Sequence, residues 1–90
     1  MPKYVIERDM PSVGNLTQAE LQGAAQTSNA ALAKMEGRAQ WQQSYVTDDK
    51  IYCIYVADDE DAVREHAELS GFPANRVSRI GGVIDPTTAD

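Results

Sequence analysis

Six segments in the order strand, helix, strand, strand, helix, strand predict an α+β domain, with two helices over one face of a four-stranded antiparallel sheet. Three observations predict it. Runs of β-branched and aromatic residues alternate with stretches of helical period. The second and third strand-like runs are joined by the short acidic turn Asp48-Asp49, as in a hairpin. The third run, Lys50-Ile51-Tyr52-Cys53-Ile54-Tyr55-Val56, is apolar on both of its alternating faces, as a central strand is. Ninety residues, 42% of them apolar, suffice for one such core.

The first strand is Lys3–Asp9, where Tyr4, Val5 and Ile6 are β-formers and Pro11 blocks extension past Met10. Val13-Gly14-Asn15 follows as a loop. The first helix opens on a capping box of Thr17 and Glu20, with Leu16 and Leu21 placed for a hydrophobic staple. Leu21, Ala24, Ala25, Ser28, Leu32 and Met35 then recur at helical spacing, and Gly37 can supply a left-handed stop. Residues 39–47 carry Trp41, Tyr45 and Val46 among polar residues, which suits an edge strand, and residues 50–56 form the central strand. The second helix begins at Asp58. Asp59, Glu60 and Asp61 sit in its first turn against the positive end of the helix dipole, and Gly71 ends it. Its inner side reads as Ala62, Val63, His66, Leu69 and Ser70. Residues 76–80 are a short last strand. The resulting βαββαβ order is the ferredoxin-like split unit, with the first and third strands central and the second, which holds Gln40, Gln42, Gln43 and Ser44, at an edge. The domain spans residues 1–80, and residues 81–90, after Gly81-Gly82, form a tail or an added edge strand.

Eight basic against fourteen acidic residues give a net charge of −6, which repels phosphate backbones and argues against nucleic-acid binding. No apolar run approaches the roughly 20 residues of a membrane helix. The opening Met1-Pro2-Lys3-Tyr4-Val5-Ile6-Glu7 is charged again by its seventh residue, unlike a signal peptide. A single cysteine, Cys53, leaves no partner for an internal disulfide and suits the cytoplasm. Phosphate-binding glycine loops, nucleophile elbows, paired-cysteine zinc motifs and His-Glu-x-x-His are all absent.

The residues that could carry chemistry are few. His66 is the sole histidine and could offer one neutral ring nitrogen to nickel, copper or zinc. Its helical neighbours include no carboxylate, so further ligands would come from Glu65, from another element such as Glu7, or from a second chain. Alternatively, His66 is a hydrogen-bonded structural residue at the helix–sheet interface. Glu7 shares the side of Val5 on a central strand, where an unpaired carboxylate is costly. It is a ligand, an acid or base, or the partner of Arg8, Arg79 or a second subunit. Cys53 reads as a buried thiol. Trp41, Tyr45, Tyr52 and Tyr55 could line a pocket for a flat ligand, with the mid-strand Cys53 a further candidate beside Trp41 and Tyr45; packing in the core or an interface is the alternative.

Met1-Pro2-Lys3-Tyr4-Val5-Ile6-Glu7-Arg8-Asp9, Trp41 with Ser44-Tyr45-Val46-Thr47-Asp48-Asp49-Lys50-Ile51-Tyr52-Cys53, Arg64-Glu65-His66-Ala67 and Gly71-Phe72-Pro73-Ala74-Asn75-Arg76-Val77 closely resemble, in collinear order, a family of small actinobacterial-type nickel-binding proteins. The resemblance runs from Met1 to about Ile80. It implies a ferredoxin-like homodimer of the α/β-barrel type that binds nickel at its surface and sequesters or detoxifies it. The family motif containing His66 lands on a potential ligand; the remaining ligands do not carry over residue by residue.

Two functions from different classes follow. One is nickel binding without catalysis, using His66 with Glu65 or Glu7, across a dimer if needed. The other is a small-molecule-binding protein or cofactor-independent enzyme of the dimeric α/β-barrel type, in which Glu7, Tyr45 and His66 converge on one pocket. A shared concave cavity holding these side chains favours the second, and an exposed His66 near carboxylates favours the first. An apolar sheet face that two helices cannot cover, Tyr52/Ile54/Val56 or Ile51/Cys53/Tyr55, predicts a dimer packed sheet to sheet.

Overall fold

The computed structural model describes Met1–Asp90. Four strands, β1 (Lys3–Asp9), β2 (Ala39–Val46), β3 (Lys50–Ala57) and β4 (Arg76–Arg79), form one sheet in the order β2-β3-β1-β4, every neighbouring pair antiparallel. Helices α1 (Gln18–Ala33) and α2 (Glu60–Ser70) complete the βαββαβ order, the ferredoxin-like α+β fold. As the apolar runs predict, β1 and β3 are central and β2 is an edge.

Helix α1 begins where the sequence places its cap, and α2 begins later than the Asp58 expected, with Asp59 as its cap instead of a first-turn residue. Thr17 accepts from the Glu20 backbone N–H while the Glu20 carboxylate accepts from the Thr17 N–H, a complete capping box. Asp59 caps α2 by accepting from Ala62 N at 2.8 Å, and Gly71, at φ 81°, takes the left-handed position that ends it. Helix α1 stops earlier than its glycine suggests. It ends at Ala33, and Glu36 and Gly37 (φ 55° and 82°) turn the chain toward β2.

The period-2 register divides the sheet cleanly. Tyr4, Ile6 and Arg8 of β1 face the helices opposite Tyr55, Cys53 and Ile51 of β3. With Met35, Ala39, Ala57, Ala62 and Val63, the apolar members of this layer form the core. On α2 the inward face is Ala62, Val63, His66 and Ala67; Leu69, expected inside, is 46% exposed. Positions 62, 63, 66 and 67 are a tighter helical stripe than one reaching to 69 and 70, and Ala67 lets the helix lie close to the sheet.

The other face of the sheet has no helix. It carries Val5 and the apolar set Tyr52/Ile54/Val56, with Glu7 among them. The segment expected as a loop, Val13–Asn15, is a short 3-10 helix with Val13 buried. Gly14 there touches the β2–β3 turn so closely that a Cβ would meet the Asp48 Cα at 2.8 Å. Residues 81–90 add no strand. They run past the exposed Val83 and Ile84 into a 3-10 turn, Pro86–Ala89, capped by Asp85. No helix is long and apolar enough to cross a membrane.

Candidate functional site

The helix-covered face holds an unusual polar group. Arg8 points into the core because alternation puts it with Tyr4 and Ile6, and it is only 2% exposed. Its Nε donates to the Cys53 sulfur at 3.4 Å, and its Nη1 donates to the carbonyls of Phe72 and Pro73 at 3.5 and 2.8 Å. Nη2 has no partner, and no carboxylate pairs with this guanidinium. A buried cation without an anion is costly, because only dipoles replace its lost hydration.

Beside it lies a second polar cluster. The Ser28 hydroxyl, from α1, lies 3.3 Å from the Tyr55 hydroxyl and 3.1 Å from His66 Nε2, which is also 3.4 Å from the Ser28 carbonyl. An Nε2–H tautomer satisfies these contacts and leaves Nδ1 as a buried lone pair without a partner. Burial first, and then the Arg8 charge, hold the His66 imidazole below its ordinary value of 6.5, so it is neutral at pH 7. Burial raises the Tyr55 phenol in turn.

A cavity of about 210 Å³ opens between α1 and the sheet next to these groups. Leu21, Ala24 and Ala25 of α1 form one wall and remain only half-buried; Trp41, Cys53 and Tyr55 form part of the floor, with Arg8 and Ser28 in the lining. The N-terminal half of α1 thus stands off from the sheet, while its C-terminal half buries Ser28 and Ala31.

The residues singled out from the sequence are not all brought together. Trp41 and Cys53 do line the cavity. Tyr45 does not, and is 56% exposed on the open face opposite Tyr52. The reason is a bulge in β2: pairing passes from Trp41↔Tyr55 to Gln43↔Ile54, so Gln42 is extra and every later residue changes face. Ser44 takes the inner position opposite Cys53 that unbroken alternation assigns to Gln43, and Val46 takes the one opposite Ile51 that it assigns to Tyr45; Ser44 accepts from the Trp41 indole N–H at 2.9 Å.

The three candidate metal ligands also stay apart. His66 is fully buried. Glu65, one residue along α2, is paired with Arg38, whose guanidinium lowers its carboxyl below the usual range through a charge-assisted hydrogen bond. Glu7 lies on the open face, with long contacts to Lys50 (3.8 Å) and Arg76 (3.9 Å) in place of the Arg8 or Arg79 expected from sequence. Opposite faces of the sheet therefore separate Glu7 and Tyr45 from His66, and the acid–base grouping of the three does not form. Within one chain no three His, Cys, Asp or Glu side chains gather around a common point. The orphaned His66 Nδ1 is one donor, but the nearby Arg8 cation repels a metal ion, so the core does not fit a nickel centre.

Arg8 is the residue that sequence reading passed over as a group in its own right. The signal was present, since Lys3-Tyr4-Val5-Ile6-Glu7-Arg8 alternates and sets Arg8 on the side of Tyr4 and Ile6.

Comparison with known proteins bears on function from outside the geometry. Residues 4–80 match the model of the SCO4226-like family, described as nickel responsive protein SCO4226-like. The crystal structure of SCO4226 from Streptomyces coelicolor A3(2) superposes with a TM-score of 0.76 at 18% identity, covering 91% of this chain and 99% of that one. The match shows a shared fold. No curated protein sequence matches the chain.

Proposed function

Because the chain belongs to the SCO4226-like family of nickel responsive proteins, we propose that it is a homodimer that binds and sequesters nickel at its surface, on groups that two copies bring together. Glu7 carries this reading. Of the three candidate ligands, it alone lies on the open face of the sheet. Its ion pairs with Lys50 and Arg76 are long, which leaves its oxygens open to a stronger cation.

The surface around Glu7 supports the dimer. Val5, Tyr52, Ile54, Val56 and Tyr45 make an apolar strip on the uncovered sheet. Sheet-to-sheet packing about a twofold axis would remove it from water, and a stable pair buries roughly 800 Å² on each partner. An isologous interface contains both copies of Glu7, whose oxygens suit a divalent ion together with water. Glu65 joins such a site only by leaving Arg38, and His66 only by opening the core.

Calorimetric titration with nickel tests the proposal. Glu7→Gln should weaken binding by roughly tenfold or more, while Glu65→Gln should change it little. Nickel affinity unaltered by Glu7→Gln, or a mass near 9.8 kDa by light scattering at micromolar concentration, overturns it.

A second reading, the binding of a small molecule, is favoured by one observation, the cavity beneath α1 that is lined by Trp41 and Cys53. Neither Glu7 nor His66 lines that cavity, so this reading concerns binding and supplies no acid–base pair.

A further inference from the structure

The cavity under α1 is apolar along most of its wall, yet it holds a guanidinium that is 2% exposed and lacks a counter-ion. We propose that this cavity binds an amphipathic monocarboxylate, its carboxylate paired with Arg8 and its hydrocarbon body lying between α1 and β2–β3. The proposal rests on the small-molecule reading above and deepens it by naming the ligand class.

Arg8 has hydrogen-bonding capacity to spare. Its Nε and Nη1 donate to one sulfur and two carbonyls, none of them a carboxylate, and Nη2 donates to nothing. A carboxylate paired with this guanidinium would neutralise the buried charge, and charge-assisted bonds of this kind are the strong ones. The remaining polar neighbours, Ser28 and Ser44 with the phenol of Tyr55, are neutral and do not compete for the cation. No Asp or Glu lines the cavity, so nothing in its wall repels an anion.

Volume and shape select the rest of the ligand. An engineered cavity of about 150 Å³ accommodates benzene, so 210 Å³ suits a single aromatic ring with a short arm, or a medium alkyl chain. Leu16, Leu21, Val46, Ile51 and Phe72 provide the apolar contacts. A larger dianion fits poorly, because Arg8 is the sole cationic side chain in the lining.

Octanoate and 1-octanol, nearly equal in length and differing in charge, are the probes. The single tryptophan of the chain, Trp41, lies in the cavity wall and reports occupancy through its fluorescence. Titration of the full chain should show octanoate binding roughly tenfold or more tighter than octanol. Arg8→Met should bring octanoate affinity down to that of octanol measured on the same variant. If Arg8→Met does not fold, the wild-type ratio still decides the matter, and Ala25→Phe, which fills the cavity from its half-buried wall, should abolish both responses.

Equal affinities for octanoate and octanol overturn the carboxylate assignment and leave the small-molecule reading standing. No Trp41 response to either probe overturns both. Octanoate binding that survives Arg8→Met or Ala25→Phe places the anion elsewhere on the chain and overturns the proposal.

Discussion

The two faces of the sheet reverse the usual division of chemistry. The helix-covered face holds a guanidinium with no carboxylate and a histidine with one orphaned nitrogen. The open face carries Val5, Tyr52, Ile54 and Val56, and its one central carboxylate, Glu7, has two basic neighbours. A buried charge and an uncovered apolar strip are the observations that ask for an explanation, since an ordinary core and surface would exchange them. Both point outward from the chain, one to an anion within the core and one to a second copy against the sheet.

The largest expected difference between the faces is in stability. Ile6 is fully buried beneath the helices, and Ile54 lies half-buried on the open side one register position away. Ile6→Ala should cost about 3 kcal/mol of unfolding free energy, the transfer of the deleted carbons plus the cavity left behind, and Ile54→Ala about 1 kcal/mol. Urea denaturation at low protein concentration measures both. Equal losses would mean that the open face is already packed within one chain.

A charge placed on the open strip sharpens the contrast by assembly. Tyr52→Glu should leave the fold intact and split the proposed dimer, because it strands a carboxylate in the interface next to Glu7, with which Tyr52 is paired across β1 and β3. Light scattering and circular dichroism together read the two effects. A dimer that withstands Tyr52→Glu would show that the copies meet on another surface.

The smallest effect is a pH dependence confined to the covered face. Burial and the Arg8 charge lower the His66 pKa in the folded state, so near and below pH 6.5 the unfolded chain binds the proton that the folded chain refuses. Stability contributed by the neutral imidazole is therefore present above about pH 6.5 and is lost as the pH falls through the folded value. His66→Phe should flatten this part of the stability profile. An unchanged slope in that variant would assign the titration to other groups.

How far the sequence could be read depended on the range of the interaction. The capping box of Thr17 and Glu20 and the stop at Gly71 join residues a few positions apart and were legible before the fold, whereas the choice of Asp59 over Asp58 as the cap of α2 was not. The alternation in β3 marked it as central, and the hairpin turn at Asp48-Asp49 followed from composition. Trp41 and Cys53 line the cavity beneath α1, whereas Tyr45 is turned to the open face by one extra residue in β2, because period-2 reasoning carries a single bulge through every later position. His66 was legible as a residue on the inner side of α2, but its complete burial came from Ser28 and Tyr55, which lie 38 and 11 positions away.

By itself the sequence determined the order of elements, their caps and the presence of two apolar faces on one sheet, because periodicity and turn chemistry act within a few residues of the chain. Tertiary structure alone decided which of those faces the helices cover. It also decided that Glu7 and His66 lie on opposite sides, that Glu65 is held by Arg38 and that α1 stands off far enough to leave a cavity beside Arg8. The physical reason is that these outcomes depend on contacts between segments distant in sequence. There, packing volume and desolvation select among pairings that local patterns leave equally open.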